Sequence, residues 1–477
     1  MKDFERPLRV GLFGIGLDTY WPQFAGLEQR LIGYVDVVAD KIARDGVEVV
    51  NLGLIDTPQK AVEAGHQFRA GDVDLIFLYV TTYALSSTVL PVIRRAGVPV
   101  VILNLQPERA IDYTAFAKLE NRRTMTGEWL AHCAACPVPE ITNVLQRSGI
   151  SSHQVTGVLQ GDAHVDREID DWIEAARVAH IMAHTRLGLM GHYYNGMLDI
   201  YSDLTAQCAA FGTTVEILEI DELAAIRDQL QSGSIAAIRD RITSEFDIAP
   251  DCASAELDRA ASTAAALIEL VARHDIGALA YYYESVPDHP HEDVISSVIL
   301  GCSMLTGQGV PCAGEYEVKN AQAMKIMDSF GAGGSFTEYY AMDFDADVVL
   351  MGHDGPGHPA VAQGKTKVRP LEVYHGKVGR GLSVEMSVKH GPVTLLSVIE
   401  RAGKVELVFA EGHSVAGPIL EIGNTNSRYQ FDIGARAFVE NWNAAGPAHH
   451  CAVGVGHLAG RLKKLALLLG IVSVQIC

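Results

Sequence analysis

From Leu8 to about residue 315 this chain repeats one pattern, a short β-branched apolar run followed by an amphipathic stretch. RVGLFGIG, VEVVNLGL, VDLIFLYV and VPVVILNL read as strands, while LEQRLIGYVDVVADKIARDG (ending at Gly46) and PQKAVEAGHQFRA read as helices between them. Strands that are apolar on both sides and separated by helices pair in parallel, under helices on both faces. The pattern predicts a Rossmann-like domain over residues 1–170. A second series predicts another parallel-sheet α/β domain over 171–315, with RLGLMGHYY, TTVEILEI and IGALAYYY as its strands. The pattern then changes. VVLMGHDGPGH, GLSVEMSV, GPVTLLSVIE and KVELVFAEG follow one another through turns, without helices between them. That predicts a mainly antiparallel, barrel-like C-terminal domain over 316–477, closed by the helical run GHLAGRLKKLALLLG. The expected fold class is α/β, with two Rossmann-like domains followed by a β-rich one.

At 477 residues the chain exceeds what one core supports, in line with several domains. Its formal charge of −20 is spread along the length and repels phosphate backbones, so nucleic acid is not an expected partner. The longest apolar run near the C-terminus, LALLLGIVSV, is too short for a bilayer, and no membrane partner is expected. The N-terminal MKDFERPLRVGLFGIG lacks the long apolar core of a secretion signal. Eight unevenly spaced cysteines do not form a disulfide framework. Together these features predict a cytoplasmic, reduced protein.

Several local motifs have plain structural readings. GLFGIGLDTYW lacks the G-x-G-x-x-G spacing of a dinucleotide site and reads as a tight strand-to-loop turn. There Asp18, Tyr20 and Trp21 could face a small polar ligand. His132, Cys133 and Cys136 in HCAACP have redox-motif spacing, yet no second C-x-x-C completes a zinc site. That segment reads as a proline-broken helix with both cysteines packed as small apolar residues. Gly331, Gly333 and Gly334 lead as a turn into the strand of Glu338, and Tyr281, Tyr282 and Tyr283 lie at a strand end. His449 and His450 are adjacent, so on a regular element their side chains diverge and only one could reach a given cation.

Four residues stand apart: Glu315 in CAGEYEV, Glu338 in GSFTEYY, His353 in LMGHDGPGH and His450 in GPAHHCAV. Two carboxylates and two imidazoles suit a hard or borderline divalent cation with positions left for two polyol oxygens. Their spacings of 23, 15 and 97 residues form no local motif, so only the fold can bring them together.

In order and interval these four residues resemble the L-arabinose and L-fucose isomerase superfamily, most nearly its arabinose isomerase branch. Gly314-Glu315, Glu338, His353 after its apolar strand and Ala448-His449-His450 carry the resemblance, with GNTNSRYQF (Gly423 to Phe431) as a further similar stretch. The resemblance implies aldose–ketose isomerisation through a cis-enediol. It implies Glu315, Glu338, His353 and His450 as metal ligands, and Glu315 and Glu338 as the acid/base pair. Mn²⁺ is the expected cation, with Mg²⁺ or Co²⁺ as substitutes, and a small sugar is the expected substrate. His449, Tyr20, Asp18, Asp354 and Tyr83 are the expected substrate contacts. Members of the superfamily are trimers or hexamers, so a homotrimer or homohexamer is expected. The chain departs from the arabinose pattern where substrate would be gripped. Asp354-Gly355-Pro356 follows His353 in place of Met-Leu-Glu, and Leu17-Asp18-Thr19-Tyr20 replaces Gln-His-Leu-Tyr. The stretch GEWLAHCAAC differs as well. A competing reading is a non-catalytic sugar-binding or sensing protein on the same scaffold.

Overall fold

A computed structural model of the chain describes residues 6–286, 288–371 and 379–477. One compact unit runs to His180 and another from Ile181 to Cys477. The first holds a five-stranded sheet made of β1 (Leu8–Ile15), β2 (Val47–Ile55), β3 (Leu75–Tyr79), β4 (Val100–Gln106) and β5 (Ser152–Val158). Its order is β2-β1-β3-β4-β5 and every pairing is parallel. Strand β3 is buried along its whole length, as expected for a sheet covered on both faces.

The helices obey the same physics. Leu27, Leu31, Val35, Val38 and Ile42 recur at spacings of three and four, so helix Leu27–Ile42 buries one stripe. It stops at Ile42 and not at Gly46, because Ala43 turns to extended backbone. Helix Pro58–Ala70 starts where Thr57 accepts a hydrogen bond from the Lys60 N–H at 3.2 Å, with Pro58 in the first turn, where no N–H is needed. Phe13, Phe68, Leu78 and Ile102 fill the core, each contributing about 1.5–3 kcal/mol over an exposed position.

Asp74 ties together parts of this unit that are distant in sequence. It accepts from the Arg6 guanidinium at 2.8 and 2.9 Å, the Arg9 N–H at 2.8 Å and the His180 ring at 3.0 Å. Burial alone would raise its pKa, but the bonds from His180, Arg6 and Arg9 outweigh that and hold it down to about 2. A depressed carboxylate stabilises the fold above its unfolded pKa of about 4 and loses that contribution as pH falls toward the folded value. Asp74→Asn should therefore melt below the wild type at pH 6, with the gap closing between pH 4 and pH 2 in calorimetry. A gap that stays constant across that range would contradict this assignment.

The second unit begins with a four-stranded parallel sheet of β6 (Arg186–Gly191), β7 (Thr214–Leu218), β9 (Ala278–Tyr282) and β10 (Cys312–Ala313), in the order β10-β9-β6-β7. The short β8 (Asp247–Ile248) lies outside it. Seven strands of a larger sheet follow: β11 (Gly333–Asp343), β12 (Val348–His353), β15 (Gly391–Arg401), β16 (Lys404–Val415), β17 (Thr425–Gln430), β18 (His450–Val455) and β19 (Val472–Gln475). Their order is β15-β18-β11-β12-β17-β16-β19, and a further β15–β16 pairing closes six of them into an antiparallel barrel. Closure removes the open edges of a sheet. The β15–β16 turn has Ala402 at φ 50° and Gly403 at φ 75°, the left-handed pair that a two-residue hairpin requires. Parallel to β16, β19 follows helix Ala459–Leu469.

One segment departs from the expected barrel. GLSVEMSV contains β14 (Gly381–Glu385), which pairs with β13 (Lys367–Leu371), and β13 pairs in parallel with β8. These three strands form a separate small sheet, joined across more than a hundred residues of sequence. A helix, Ala435–Ala445, also interrupts the β-rich run. Among the described residues no helix is long and apolar enough to cross a membrane.

Candidate metal centre

Three neighbouring barrel strands bring the histidines and Glu338 together. Glu338 on β11 lies directly opposite His450 on β18 and Gly352 on β12, and His353 ends β12. Directly opposed residues on antiparallel strands project side by side. Thr425 on β17 fixes the backbone of His353, accepting from its N–H at 2.8 Å and donating to its carbonyl at 2.7 Å. A Cβ on Gly352 would lie 1.8 Å from the Thr425 carbonyl oxygen, so the strands can meet this closely only with glycine there. The Phe336 ring packs at 4.4 Å from both the His353 and His450 rings.

Glu315 arrives from the central sheet, two residues beyond β10. Both it and Tyr316 are left-handed, at φ 57° and 61°. Such backbone costs non-glycine residues free energy and persists only where surroundings enforce it. Here the Tyr316 N–H bonds to the Tyr281 carbonyl at 3.0 Å, and the Tyr194 N–H bonds to the Glu315 carbonyl at 3.3 Å. The bent backbone turns the Glu315 carboxylate onto the histidines. Its oxygens lie 3.3 Å from His450 Nε2, 3.8 Å from His449 Nε2 and 3.9 Å from His353 Nε2.

The donor atoms form two overlapping groups, Glu315–His353–His450 and Glu338–His449–His450, each within 4.8 Å. His450 belongs to both. Its Nε2 is buried and makes no hydrogen bond among the described residues. A ring nitrogen left without a partner in the interior is costly unless something else occupies that position. Mixed carboxylate and imidazole donors converging on such an atom fit a divalent cation.

His449 and His450 do not diverge as regular alternation predicts. His450 is the first residue of β18 and His449 lies just before it, so the strand geometry does not bind the pair. Their rings sit 3.7 Å apart, tilted by 40°. Each has its Nδ1 on a carboxylate that the sequence analysis did not single out. His449 Nδ1 meets Asp199 at 2.7 Å, and His450 Nδ1 meets Glu317 at 2.5 Å. Burial pushes the Glu317 carboxyl up to about 8, and burial likewise pushes His450 well below its ordinary range. For His449, burial disfavours the charged ring, but Asp199 outweighs it and the net shift is upward. The E-x-E spacing of Glu315 and Glu317 was a visible signal for the second carboxylate. Asp199 had none, since it sits 250 residues from its partner.

The other expected contacts fall in different places. Asp354 follows His353, half-buried. Asp18, Tyr20 and Tyr83 belong to the first unit. Asp18 is exposed at the start of the short helical turn Asp18–Tyr20. Tyr20 and Tyr83 pack, partly buried, against Leu27, Leu31, Leu130 and Ala131. The cysteine segment is broken between helices Arg122–His132 and Val138–Arg147, with Cys133 buried but Cys136 exposed. Only one of the two cysteines therefore packs as an apolar residue, because Cys136 falls in the turn before Pro137.

The fold and site together define an α/β chain with a closed antiparallel barrel that carries a carboxylate–imidazole cluster. Residues 333–472, the span of that barrel, match the family model of the L-arabinose isomerase C-terminal domain. The L-arabinose isomerase of Shewanella sp. (strain ANA-3) is 26% identical over 303 residues, covering 60% of this chain and 59% of that protein. That of Klebsiella pneumoniae (strain 342) is 25% identical over 309 residues, covering 62% and 61%. The matched region thus spans about three fifths of the length of these curated relatives. Glu338, His353 and His450 lie within the residues matched by the family model, and Glu315 lies before them. Among solved structures, an ABC-transporter periplasmic solute-binding protein from Actinobacillus succinogenes with bound D-allose aligns over 64% of this chain and 95% of its own. At 11% identity and a TM-score of 0.17, that alignment carries no argument.

Proposed function

We propose that this protein is a metal-dependent aldose–ketose isomerase. The observation that carries the reading is the buried, unbonded Nε2 of His450, facing Glu315 at 3.3 Å with Nδ1 on Glu317. Glu315, Glu338, His353 and His450 would hold the cation, with Mn²⁺ the best match to this donor set and Mg²⁺ or Co²⁺ as substitutes. When bound, the cation polarises the sugar carbonyl and offsets the negative charge that develops on its oxygens. Two protons must move within the substrate. One carboxylate of the Glu315–Glu338 pair takes the proton from C2, leaving a cis-enediol, and returns it to C1. The other guides the hydroxyl proton from O2 to O1. Glu317 fixes the His450 tautomer: with the proton on Nδ1, the Nε2 lone pair points at the centre. His449 Nε2 and Asp354 would contact sugar hydroxyls.

The substrate is a free aldose, from the class of pentoses, deoxyhexoses and branched or shorter sugars, with Asp354 and Asp18 standing where the arabinose pattern carries other residues. We assign Tyr20, Asp18 and Tyr83 as further sugar contacts in a cytoplasmic homotrimer or homohexamer. Calorimetric titration of chelator-treated protein with MnCl₂ should show saturable binding at one site per chain. Absence of binding heat would favour the non-catalytic sugar-binding reading over the enzyme.

A further inference from the structure

We propose that Asp199 is a positioning residue of this site, clamping the His449 ring so that its Nε2 is held toward Glu315 where a substrate hydroxyl is received. The inference rests on the isomerase reading and adds a residue to it. A single oxygen, Asp199 Oδ2, accepts from the His449 backbone N–H at 3.0 Å and from its ring Nδ1 at 2.7 Å. Gripping backbone and ring of one residue through one atom fixes the rotation of the ring. With Nδ1 held on Asp199, Nε2 is left facing Glu315 Oε2 at 3.8 Å. That is too long for a direct hydrogen bond, yet close enough for one hydroxyl to contact both atoms.

An aspartate on a loose loop could not do this, and the loop of Asp199 is fastened at both ends. Asp199 lies in the single turn Leu198–Ile200. Lys319, buried on helix Val318–Ser329, donates to the backbone carbonyls of Asp199 at 2.5 Å and Tyr201 at 3.4 Å. Downstream, the Asp203 N–H donates to the two Glu400 carboxylate oxygens at 3.1 and 3.0 Å, and Gln207 donates to Glu400 at 2.6 Å. Glu400 stands on β15 of the barrel. The loop is therefore tied to the helix that follows Glu315 and to the barrel that carries His450. The Asp199 side chain is itself 42% exposed, so the fold does not depend on its packing.

The test compares Asp199→Ala and Asp199→Asn with the wild type on an aldose that the Mn²⁺-loaded enzyme converts. Asp199→Ala should lower kcat about 10- to 100-fold, with KM within about threefold and an unchanged melting temperature. Asp199→Asn keeps an amide oxygen that can accept both hydrogen bonds, and it should recover most of kcat. Crystal structures should show His449 Nε2 toward Glu315 in the wild type and Asp199→Ala with the ring turned away. Wild-type kcat in Asp199→Ala, an asparagine as impaired as the alanine, or an unmoved ring would each overturn the proposal. If the wild type converts no aldose, the isomerase reading fails instead, and the ring orientation in Asp199→Ala still decides the positioning claim.

Discussion

Glu315→Gln and Glu338→Gln should each reduce aldose–ketose interconversion by about 10²–10⁴-fold while leaving the fold intact. Glutamine keeps the shape and the hydrogen-bonding oxygen but can neither take the C2 proton nor offer a charged ligand. The fold should tolerate the change. Glu338 is half-buried on β11, paired through its backbone on both sides. The Glu315 turn is held by the Tyr194 N–H on the Glu315 carbonyl and by the Tyr316 N–H on the Tyr281 carbonyl, which involve main-chain atoms and persist in the variant. Circular dichroism melts alongside product assays separate the two effects. Full activity in either variant would remove the acid/base pair from the account. A melting temperature that collapses with activity would show that the residue serves the fold.

Glu317→Ala should weaken Mn²⁺ binding about 10- to 100-fold, because nothing then fixes the proton of His450 on Nδ1. The pH dependence carries a definite sign. Burial raises the Glu317 carboxyl to about 8, so below that pH the metal-free Glu317–His450 pair keeps a proton that a cation at Nε2 must displace. Affinity should fall as pH drops below about 8. Glu317→Gln accepts from Nδ1–H without titrating, so it should bind Mn²⁺ with a flatter pH profile. Calorimetry at pH 6 and pH 8 in two buffers of different ionisation enthalpy reads both affinity and proton release. Equal affinity in wild type and Glu317→Ala would place the role of Glu317 in packing alone.

Much of the architecture was legible because it rests on local pattern. The β-branched runs of β1, β3 and β4, separated by helices with spacings of three and four, specify parallel pairing whatever the details of the loops. The passage to hairpins near β11 likewise marks the barrel. Long-range pairing was not legible. GLSVEMSV has the alternation of a barrel strand, and only its pairing with β13, and through it β8, shows that it belongs elsewhere. The same holds at the site. Resemblance to the isomerase pattern, and not local spacing, drew Glu315, Glu338, His353 and His450 together. The left-handed turn at Glu315–Tyr316 and the meeting of His449 with Asp199 depend on tertiary contacts that no spacing encodes. The expected divergence of His449 and His450 failed for a local reason: only one of the two lies within the strand.

The most direct test of the account is a screen of free aldoses and ketoses with the purified protein, with Mn²⁺ added and again after chelator dialysis, read by product chromatography. The account predicts that at least one aldose is converted to its ketose, and the reverse, only when the cation is present. Conversion that survives complete metal removal, or Mn²⁺-loaded protein that interconverts no sugar, would contradict it.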